Sequence, residues 1–412
     1  MKPFQTCVGQ PGIPPSARMF LALLERLRIG HLVVHTPDGG QRLFGQAHAQ
    51  PGAQLALLDW RACALMLRAG DIGFARAYRE GWLDSQDLVA LLRLAILNEN
   101  AMPRPVVGGL LARAWYRLRH WMNRNTKVGS RHNVHAHYDL GNAFYGLWLD
   151  PGFTYSSALF EGDARRSLEA AQSAKYQRIV DQLRLRPGMR VLEIGCGWGG
   201  FALHAARLGI HVDGVTLSIE QLEYARTRVH REGLTDLINL ELRDYRDILG
   251  RYDAVVSIEM FEAVGEAFWR EWFTVVRRCL SDGARALVQT ITIDETRFSA
   301  YRASSDFIRE YIFPGGMLPS AERFISHARG AGLRAHRSLA FGADYARTLR
   351  GWRENFEANL TAIRAQGFDE IFIRTWRLYL AYCEAGFIEG RTDVMHFELA
   401  PDDRGAQLTW RC

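Results

Sequence analysis

The chain has 412 residues and a mass of 46.8 kDa, enough for about two or three domains. Hydrophobic residues make up 48% and charged residues 23%, which excludes an intrinsically disordered chain, and no apolar run reaches the ~18–20 residues of a membrane-spanning helix. Six cysteines without a CxxC spacing argue against a disulfide scaffold or a zinc ribbon. The formal net charge of +6 is compatible with an anionic partner. Because the amino end lacks a secretory pattern, we expect a folded, cytoplasmic protein.

Residues 1–100 predict a small α+β domain. Two short strands flank a Pro-Asp-Gly-Gly turn, and three helical stretches follow, the first two separated by Gly70. The expected strands cover residues 29–34 and 41–44, and the expected helices cover residues 61–67, 71–80 and 87–97. No catalytic cluster is evident in this segment, so we interpret it as a scaffold or binding domain.

Residues 101–131 are a basic connector. The sequence has no Asp or Glu between residues 101 and 138, and leucines and tryptophans recur there at helical spacing among several arginines. Two interpretations stay open. A basic amphipathic helix suits an anionic lipid surface, whereas a solvated linker helix would pack between two domains. Nucleic acid is not expected as a partner, because the chain has no recognition motif and no long basic stripe.

Residues 132–412 alternate strand and helix patterns. Strands are expected at residues 190–194, 211–215, 238–243, 254–257 and 284–290, and helices at residues 167–183, 201–208 and 218–232. This alternation predicts an α/β fold with a doubly wound, mostly parallel sheet. In such sheets the ligand lies beyond the carboxyl ends of the strands.

The strongest local motif joins the first of these strands to a helix. Residues 191–200 read Val-Leu-Glu-Ile-Gly-Cys-Gly-Trp-Gly-Gly, and glycines at such a turn let the backbone approach a ligand without a Cβ clash. The glycine spacing differs from a dinucleotide fingerprint, and the second strand ends in Val-Thr-Leu-Ser without an acid for a ribose. Glu193, two residues before the first glycine, is suited to meet an ammonium group.

These features resemble the S-adenosylmethionine-dependent methyltransferases with a Rossmann-like, class I fold. The Asp-Tyr-Arg-Asp run at residues 244–247 follows the strand at which such enzymes contact adenine. The resemblance implies S-adenosylmethionine as the cofactor. The residues expected to bind it are Tyr155, Ser156, Glu193, Gly195, Gly197, Gly199, Thr216, Leu217, Ser218, Gln221, Asp244 and Tyr245.

Further motifs narrow the resemblance. Between residues 130 and 400 they are, in order, His137-Tyr138-Asp139-Leu140-Gly141-Asn142, Tyr155-Ser156, Thr216-Leu217-Ser218, Met260-Phe261-Glu262, Tyr311-Ile312-Phe313-Pro314-Gly315-Gly316, Phe341-Gly342-Ala343-Asp344-Tyr345 and Tyr379-Leu380. Together they resemble the cyclopropane-fatty-acyl-phospholipid synthase family, including its mycolic-acid relatives. Gly81-Trp82-Leu83-Asp84-Ser85, followed by Asp87-Leu88, resembles the amino-terminal domain of the longer, phospholipid-acting members. Three parts are thus expected: a lipid-binding domain (1–100), the linker (101–131) and a methyltransferase domain (132–412).

The resemblance implies transfer of a sulfonium methyl group to the double bond of an unsaturated acyl chain in a membrane phospholipid. The intermediate is a carbocation, so the site must exclude water, and aromatic faces can stabilise the charge. The aromatic candidates are Phe144, Tyr155, Phe261, Tyr311 and Phe313, although each residue type packs in cores more often. Together with the basic connector, the membrane substrate predicts an anionic bilayer surface as partner and a peripheral location on the inner membrane. A homodimer is a further expectation, because it would help to place one domain on lipid while the other reacts.

A base must then remove a proton, and the family resemblance implies a bound bicarbonate. The residues carried over to that catalytic site are Glu262, Tyr379, Gln289, Ser157 and Ile291. The resemblance implies that Ser157 and Ile291 face the anion with their backbone N–H groups, and the Gln289 amide can also donate a hydrogen bond. Three positions depart from the family pattern: Ser157 replaces a cysteine, Ala263 a histidine and Gln289 a second histidine. Since a glutamine has no titratable proton, either bicarbonate binds in an altered way or deprotonation is handled differently. These departures slightly favour a methyl-branched chain over a cyclopropane.

Two rival functions stay compatible with the sequence. A methyltransferase acting on a soluble acyl carrier or small molecule would work without bilayers, and a non-catalytic lipid-binding protein would keep only the cofactor fold. The trio His132, His135 and His137 does not suit one helix face, so no metal is expected. Cys196 lies in the glycine turn and is expected to contribute only its backbone.

Overall fold

The computed structural model describes residues 12–101 and 140–402, which form two compact units of mixed helix and strand. The basic connector, the histidine trio and the first residues of the His137 motif lie outside the described residues. No helix within the described ranges is both long and apolar enough to cross a membrane.

The first unit is built around a four-stranded sheet. Its elements are α1 (Pro15–Leu24), β1 (His31–His35), β2 (Gln41–Gly45), β3 (Gly52–Leu57), α2 (Arg61–Arg79), β4 (Leu83–Asp84) and α3 (Leu88–Leu97). The strand order is β2-β1-β3-β4, with β1 antiparallel to β2 and parallel to β3. The expected strands and helices are found, whereas α1, β3 and β4 were not predicted.

Gly70 has the expected effect on the second helix. The backbone of α2 leaves helical geometry there, with φ 56° and ψ −126°, a conformation that only glycine adopts easily. Asp87 then caps α3 by accepting a hydrogen bond from the backbone N–H of Ala90. Both features explain why residues 61–80 read as two helical stretches and why the third begins after Asp87.

The second unit contains the larger sheet. Its first half comprises α4 (Asn142–Tyr145), α5 (Leu168–Leu183), β5 (Arg190–Ile194), α6 (Gly200–Ala206), β6 (His211–Thr216), α7 (Ile219–Arg231), β7 (Ile238–Leu242) and β8 (Tyr252–Ile258). Its second half comprises α8 (Trp269–Cys279), β9 (Leu280–Ile293), α9 (Glu295–Ala303), α10 (Phe307–Tyr311), α11 (Ala321–Gly330), β10 (Leu333–Ala340), α12 (Gly342–Ala358), α13 (Leu360–Ala365), α14 (Glu370–Ile388) and β11 (Thr392–Pro401).

The seven strands follow the order β10-β11-β9-β8-β5-β6-β7. The neighbours from β9 to β7 are parallel, which confirms the doubly wound α/β prediction, and their buried, apolar strands explain its success. β10 and β11 add an antiparallel edge that was not predicted. Half of the residues of β10 are polar and only one is buried, so it lacks the apolar pattern of a strand in this fold.

Candidate active site

The glycine turn after β5 has the backbone that its sequence predicts. Gly195, Gly197 and Gly199 all have positive φ angles, of 88°, 50° and 80°. A Cβ at Gly195 would lie 2.7 Å from the side chain of Met260, so the turn packs closely against the segment that follows β8. No atom of the described residues lies within 4 Å of the Cβ that a substitution at Gly197 would add. The turn is therefore tight on one side and open on the other.

Glu193 precedes this turn and is 3% exposed. Its Oε2 has no hydrogen-bond partner among the described residues, and burial raises the pKa of the carboxyl group well above its usual value. Lys175 on α5 is fully buried nearby and donates a hydrogen bond of 2.6 Å to the hydroxyl of Ser156. Burial lowers the pKa of Lys175 to about 7, while Glu259, Asp150 and Glu193 attract its charge. The expected ammonium-binding carboxylate thus lies close to a buried lysine.

Lys175 was missed in the sequence. It occupies the buried face of α5 together with Ala171 and Ile179, four residues away on either side. A lysine in an otherwise apolar helical stripe is the signal that identifies it, because an unpaired buried ammonium group is costly.

A small polar network lies at the carboxyl end of β6. The hydroxyl of Thr216 donates to Gln221 Oε1 at 3.1 Å, and Ser218 caps α7 by accepting from the backbone N–H of Gln221. Thr216, Ser218 and Gln221 are all buried, and Leu217 lies between the first two. The structure therefore assembles these predicted cofactor residues at the carboxyl end of β6.

Asp244 and Tyr245 follow the carboxyl end of β7. Asp244 is 2% exposed, and both its oxygens accept hydrogen bonds from the guanidinium of Arg246, at 2.8 and 2.7 Å. Arg246 was expected only as part of the motif. The bidentate pair fixes the Asp244 carboxylate, and Tyr245 is buried beside it.

The most informative residue of the site was not predicted. Glu259 follows β8 directly, with a left-handed backbone (φ 48°) that is unfavourable for a non-glycine residue. Its Oε1 accepts hydrogen bonds from the backbone N–H of Ser157 at 2.8 Å and from the Gln289 amide at 2.7 Å. Its Oε2 accepts from the hydroxyl of Tyr345 at 2.5 Å. The position itself was the available signal, since ligands bind at the carboxyl ends of parallel strands.

Glu262 lies one short turn further along. Its Oε1 accepts hydrogen bonds from the backbone N–H of Ile291 at 2.5 Å and from the Thr290 hydroxyl at 3.0 Å. Its Oε2 is buried without a hydrogen-bond partner in the described part of the chain. Burial and the neighbouring Glu259 raise the pKa of Glu262 to about 8. Burial raises the pKa of Glu259 too, although its hydrogen bonds and the charge of Lys175 oppose that shift. Glu262, whose Oε2 has no such partners, is therefore the member of the pair that holds a proton at neutral pH.

Gln289 is held in one orientation by a buried histidine. His396 on β11 is the register partner of Gln289 on β9, and its Nε2 lies 2.8 Å from Gln289 Oε1. Burial lowers the pKa of His396 to about 3, so the ring is neutral. With Oε1 accepting from His396, the Gln289 amide nitrogen faces Glu259. The histidine was missed in the sequence.

Two tyrosines and a phenylalanine form an aromatic cluster next to Tyr345, the tyrosine that donates to Glu259. The hydroxyl groups of Tyr155 and Tyr379 are 2.7 Å apart, and burial raises the pKa of Tyr379 well above its usual value. Phe313 lies edge-on to Tyr379, with ring centroids 6.1 Å apart. The structure therefore brings Tyr379 to Tyr155, while Ser157 and Gln289 meet Glu259 and Ile291 meets Glu262.

Two of the aromatic candidates belong to the core instead. Phe144 is fully buried and contacts six other aromatic rings, including Trp148 and Trp376. Phe261 is also fully buried, against Trp269, Trp272 and two phenylalanines. Close packing on every side leaves neither ring a free face. Tyr155, Tyr311 and Phe313 remain partly exposed.

The part of the chain that holds this site matches a known protein family. Residues 125–397 match the family described as mycolic acid cyclopropane synthetase. The chain belongs to this family. Its fold is similar to that of mycolic acid cyclopropane synthase CmaA1 in complex with SAH and CTAB, with a TM-score of 0.61, 32% identity and coverage of 65% of this chain and 97% of that one.

Two relatives extend the similarity further along the chain. The chain is 38% identical over 351 residues to tuberculostearic acid methyltransferase of Mycobacterium tuberculosis, and the match covers 81% of this chain and 79% of the relative. It is 37% identical over 331 residues to cyclopropane-fatty-acyl-phospholipid synthase of Escherichia coli, covering 78% and 81%. The family resemblance seen in the motifs is confirmed, and the protein is an S-adenosylmethionine-dependent methyltransferase.

The residues of the glycine turn fit that cofactor. The space beside Gly197 is open, and the unpartnered buried oxygen of Glu193 is suited to an ammonium group. The residues fit bicarbonate poorly. The Ser157 N–H and the Gln289 amide, expected to donate to an external anion, already donate to Glu259.

Proposed function

We propose that this enzyme transfers the methyl group of S-adenosylmethionine to the double bond of an unsaturated acyl chain in a membrane phospholipid, giving a methyl-branched or cyclopropane chain. The observation that supports it best is the carboxyl pair Glu259 and Glu262, packed against the glycine turn through Met260. Methylation of an alkene needs a base beside the cofactor, and this pair supplies titratable oxygens there. The names of the two relatives, a tuberculostearic acid methyltransferase and a cyclopropane-fatty-acyl-phospholipid synthase, agree with the proposal.

The cofactor supplies an electrophilic methyl group on a positively charged sulfur. We assign its amino-acid part to Glu193 and the glycine turn at residues 195–199, and its adenosine part to the ends of β6 and β7. Asp244, clamped by Arg246, and the buried Thr216–Gln221 pair are fixed before binding, which lowers the entropy cost of holding the ligand.

The residues around the reacting carbon must protect a carbocation. Tyr155, Phe313 and Tyr379 form an aromatic cluster, and aromatic faces attract positive charge. Their rings also exclude water, which would otherwise add to the cation and end the reaction as an alcohol. This lining favours an apolar acyl chain over a polar substrate.

We further propose that residues 1–100 bind lipid and that residues 101–131 contact an anionic bilayer at the inner membrane surface. The arginines and tryptophans of the second segment are the sequence feature behind this assignment. It predicts vesicle binding that weakens as salt is raised, because the lysines and arginines act through screened charge.

The test of the function uses the full chain, S-adenosylmethionine with a fully deuterated methyl group, and vesicles of a monounsaturated phospholipid. Mass spectrometry of the released acyl chains counts the retained deuterium. A ring or a methylene branch loses part of the methyl label, whereas a methyl-branched alkene keeps all of it. Vesicles of the matching saturated phospholipid are the control and should take up no label.

Each outcome bears on the proposal. Label in the unsaturated chains alone supports it and identifies the product class. Absence of label in vesicles, together with label in an unsaturated acyl chain on a soluble carrier protein, would contradict the phospholipid substrate. Absence of label in both, with intact cofactor binding, would contradict methyl transfer to alkenes altogether.

A further inference from the structure

The donors around Glu259 form a complete anion-binding site. A backbone N–H from Ser157, an amide N–H from Gln289 and a hydroxyl from Tyr345 converge on its two oxygens, at 2.8, 2.7 and 2.5 Å. These three groups come from distant parts of the chain and meet at this carboxylate. Two of them are donors that the family resemblance assigns to bicarbonate.

An additional anion would be unfavourable here. Glu262 lies close enough to Glu259 for the two groups to repel each other as anions. The backbone N–H of Ile291, a third donor that the resemblance assigns to bicarbonate, already donates to Glu262. A bicarbonate beside the pair would add a further negative charge while these three donors are already engaged.

We propose that the Glu259 carboxylate takes the place of bicarbonate, so that this enzyme carries its own base for the proton-removal step. The inference rests on the proposed function, since it concerns the carbocation formed by methylation of an alkene. Gln289 is a positioning residue in this scheme. It carries no titratable proton, but it donates to Glu259 in the orientation that His396 fixes.

The step balances without any further reactant. The alkene electron pair forms the new C–CH₃ bond while the S–CH₃ bond breaks and leaves its pair on sulfur, so the positive charge passes to the acyl chain. Glu259 then accepts a proton from a carbon of the cation. The electron pair of that C–H bond closes the ring or forms a new double bond, and the carboxyl proton is later released to solvent.

The backbone at Glu259 permits a clean test. Its φ of 48° suits glycine, so Glu259→Gly should keep the turn while leaving the three donors without an anion. Glu259→Gln keeps the bulk of the side chain and fills the same space. Glu161 is a matched control, because it is an exposed glutamate that also has a left-handed backbone, with φ 54°. Glu161→Gly should change turnover less than two-fold.

Turnover is measured with unsaturated phospholipid vesicles in buffers depleted of carbon dioxide, with and without added bicarbonate. Wild-type turnover should be unaffected by depletion. Glu259→Gly and Glu259→Gln should each lose about 10²–10⁴-fold, the usual contribution of a general base. Added bicarbonate should restore Glu259→Gly at least ten-fold and leave Glu259→Gln unchanged. Binding of ¹³C-labelled bicarbonate, followed by NMR line broadening, should be detectable for Glu259→Gly and absent for wild type.

Two results would overturn the inference while leaving methyl transfer intact. One is a wild-type enzyme that methylates vesicles but slows more than ten-fold when bicarbonate is removed. The other is a Glu259→Gly variant with wild-type turnover in depleted buffer. A wild type that binds the cofactor and methylates no unsaturated chain would instead contradict the proposed function. The wild-type depletion result stands even where a variant fails to fold.

Discussion

Two neighbouring strand ends of the same sheet are built in opposite ways. After β5 the chain turns through Gly195, with φ 88° and no side chain. After β8 it turns through Glu259, also left-handed at φ 48°, but with a carboxylate that binds three donors. The first turn makes room for a ligand, and the second fills the space with a group of its own.

The difference shows how one backbone conformation serves two purposes. A non-glycine residue in the left-handed region costs about 1–2 kcal/mol, which glycine avoids. At Glu259 hydrogen bonds to a charged group offset that cost, since each is stronger than a neutral one. Strain that persists with such compensation is typical of a functional position.

The largest effect on cofactor binding and stability is expected when Gly195 in the glycine turn is replaced. In Gly195→Ala the new Cβ would overlap Met260 at 2.7 Å and would also occupy a strained φ. We expect loss of measurable cofactor affinity and a decrease in the free energy of unfolding of about 2–3 kcal/mol. Calorimetric titration with S-adenosylhomocysteine and urea denaturation measure the two.

Gly197→Ala is the matched control for that change. Its φ of 50° is also left-handed, but no described atom would crowd the new Cβ. We expect a decrease in stability of only about 1 kcal/mol. Equal losses of stability in the two variants would show that the contact with Met260 is unimportant.

The second-largest effect is a dependence of stability on pH that comes from Glu262. The pKa of Glu262 is raised in the folded protein to about 8, from an ordinary value of 4.5. Its contribution to stability is therefore complete below pH 4.5 and is lost as the pH rises through about 8. Relative to Glu262→Gln, wild type should lose a few kcal/mol of unfolding free energy between about pH 5 and pH 9.

Urea denaturation of both proteins across that range measures the difference. Glu354→Gln, a change at an exposed glutamate of α12, is the control and should differ from wild type by a constant amount. A wild-type minus Glu262→Gln difference that does not vary with pH would mean that Glu262 is not a buried, shifted group.

A moderate effect is expected at the end of β7. Arg246→Met removes the two guanidinium hydrogen bonds to Asp244 and keeps the backbone N–H bond at 3.0 Å, so the carboxylate is held less firmly for the adenosine part of the cofactor. We expect S-adenosylhomocysteine to bind about 5–20-fold more weakly, or about 1–2 kcal/mol. Arg243→Met, which removes an exposed ion pair with Glu241, should change affinity less than two-fold. Equal affinity in both variants would argue against a role for Asp244.

The smallest effect is expected at Cys196. Burial raises the pKa of its thiol well above the usual value, so the sulfur is a poor nucleophile. Cys196→Ala should retain turnover within two-fold and lose about 1 kcal/mol of stability from reduced packing. Loss of turnover beyond ten-fold, with the cofactor still bound, would contradict a backbone-only role.

The two turns also mark how far the sequence could predict the structure. Residues 190–194 and the glycine turn were predictable because a buried parallel strand and φ-positive glycines have local signatures. The antiparallel edge strand β10 was not, because half of its residues are polar and most are exposed or half-buried. Glu262 was found through its motif, whereas Glu259 was missed although it lies three residues earlier.

The reason for that omission is physical. The role of Glu259 depends on Ser157, Gln289 and Tyr345, which are separated from it by 102, 30 and 86 residues. No local pattern encodes such a meeting, and a glutamate after a strand is otherwise ordinary. Gln289 was flagged in the sequence as a departure from the family histidine, but the partner of its amide group became visible only in three dimensions.

The most direct test of the central claim is to determine two crystal structures, of wild type and of Glu259→Gly, each with S-adenosylhomocysteine and bicarbonate. We predict that wild type shows only the Glu259 carboxylate between the Ser157 N–H, the Gln289 amide and the Tyr345 hydroxyl. The variant should show a bicarbonate bound by the same three donors. A bicarbonate held by those donors in wild type, with Glu259 turned away, would contradict the account.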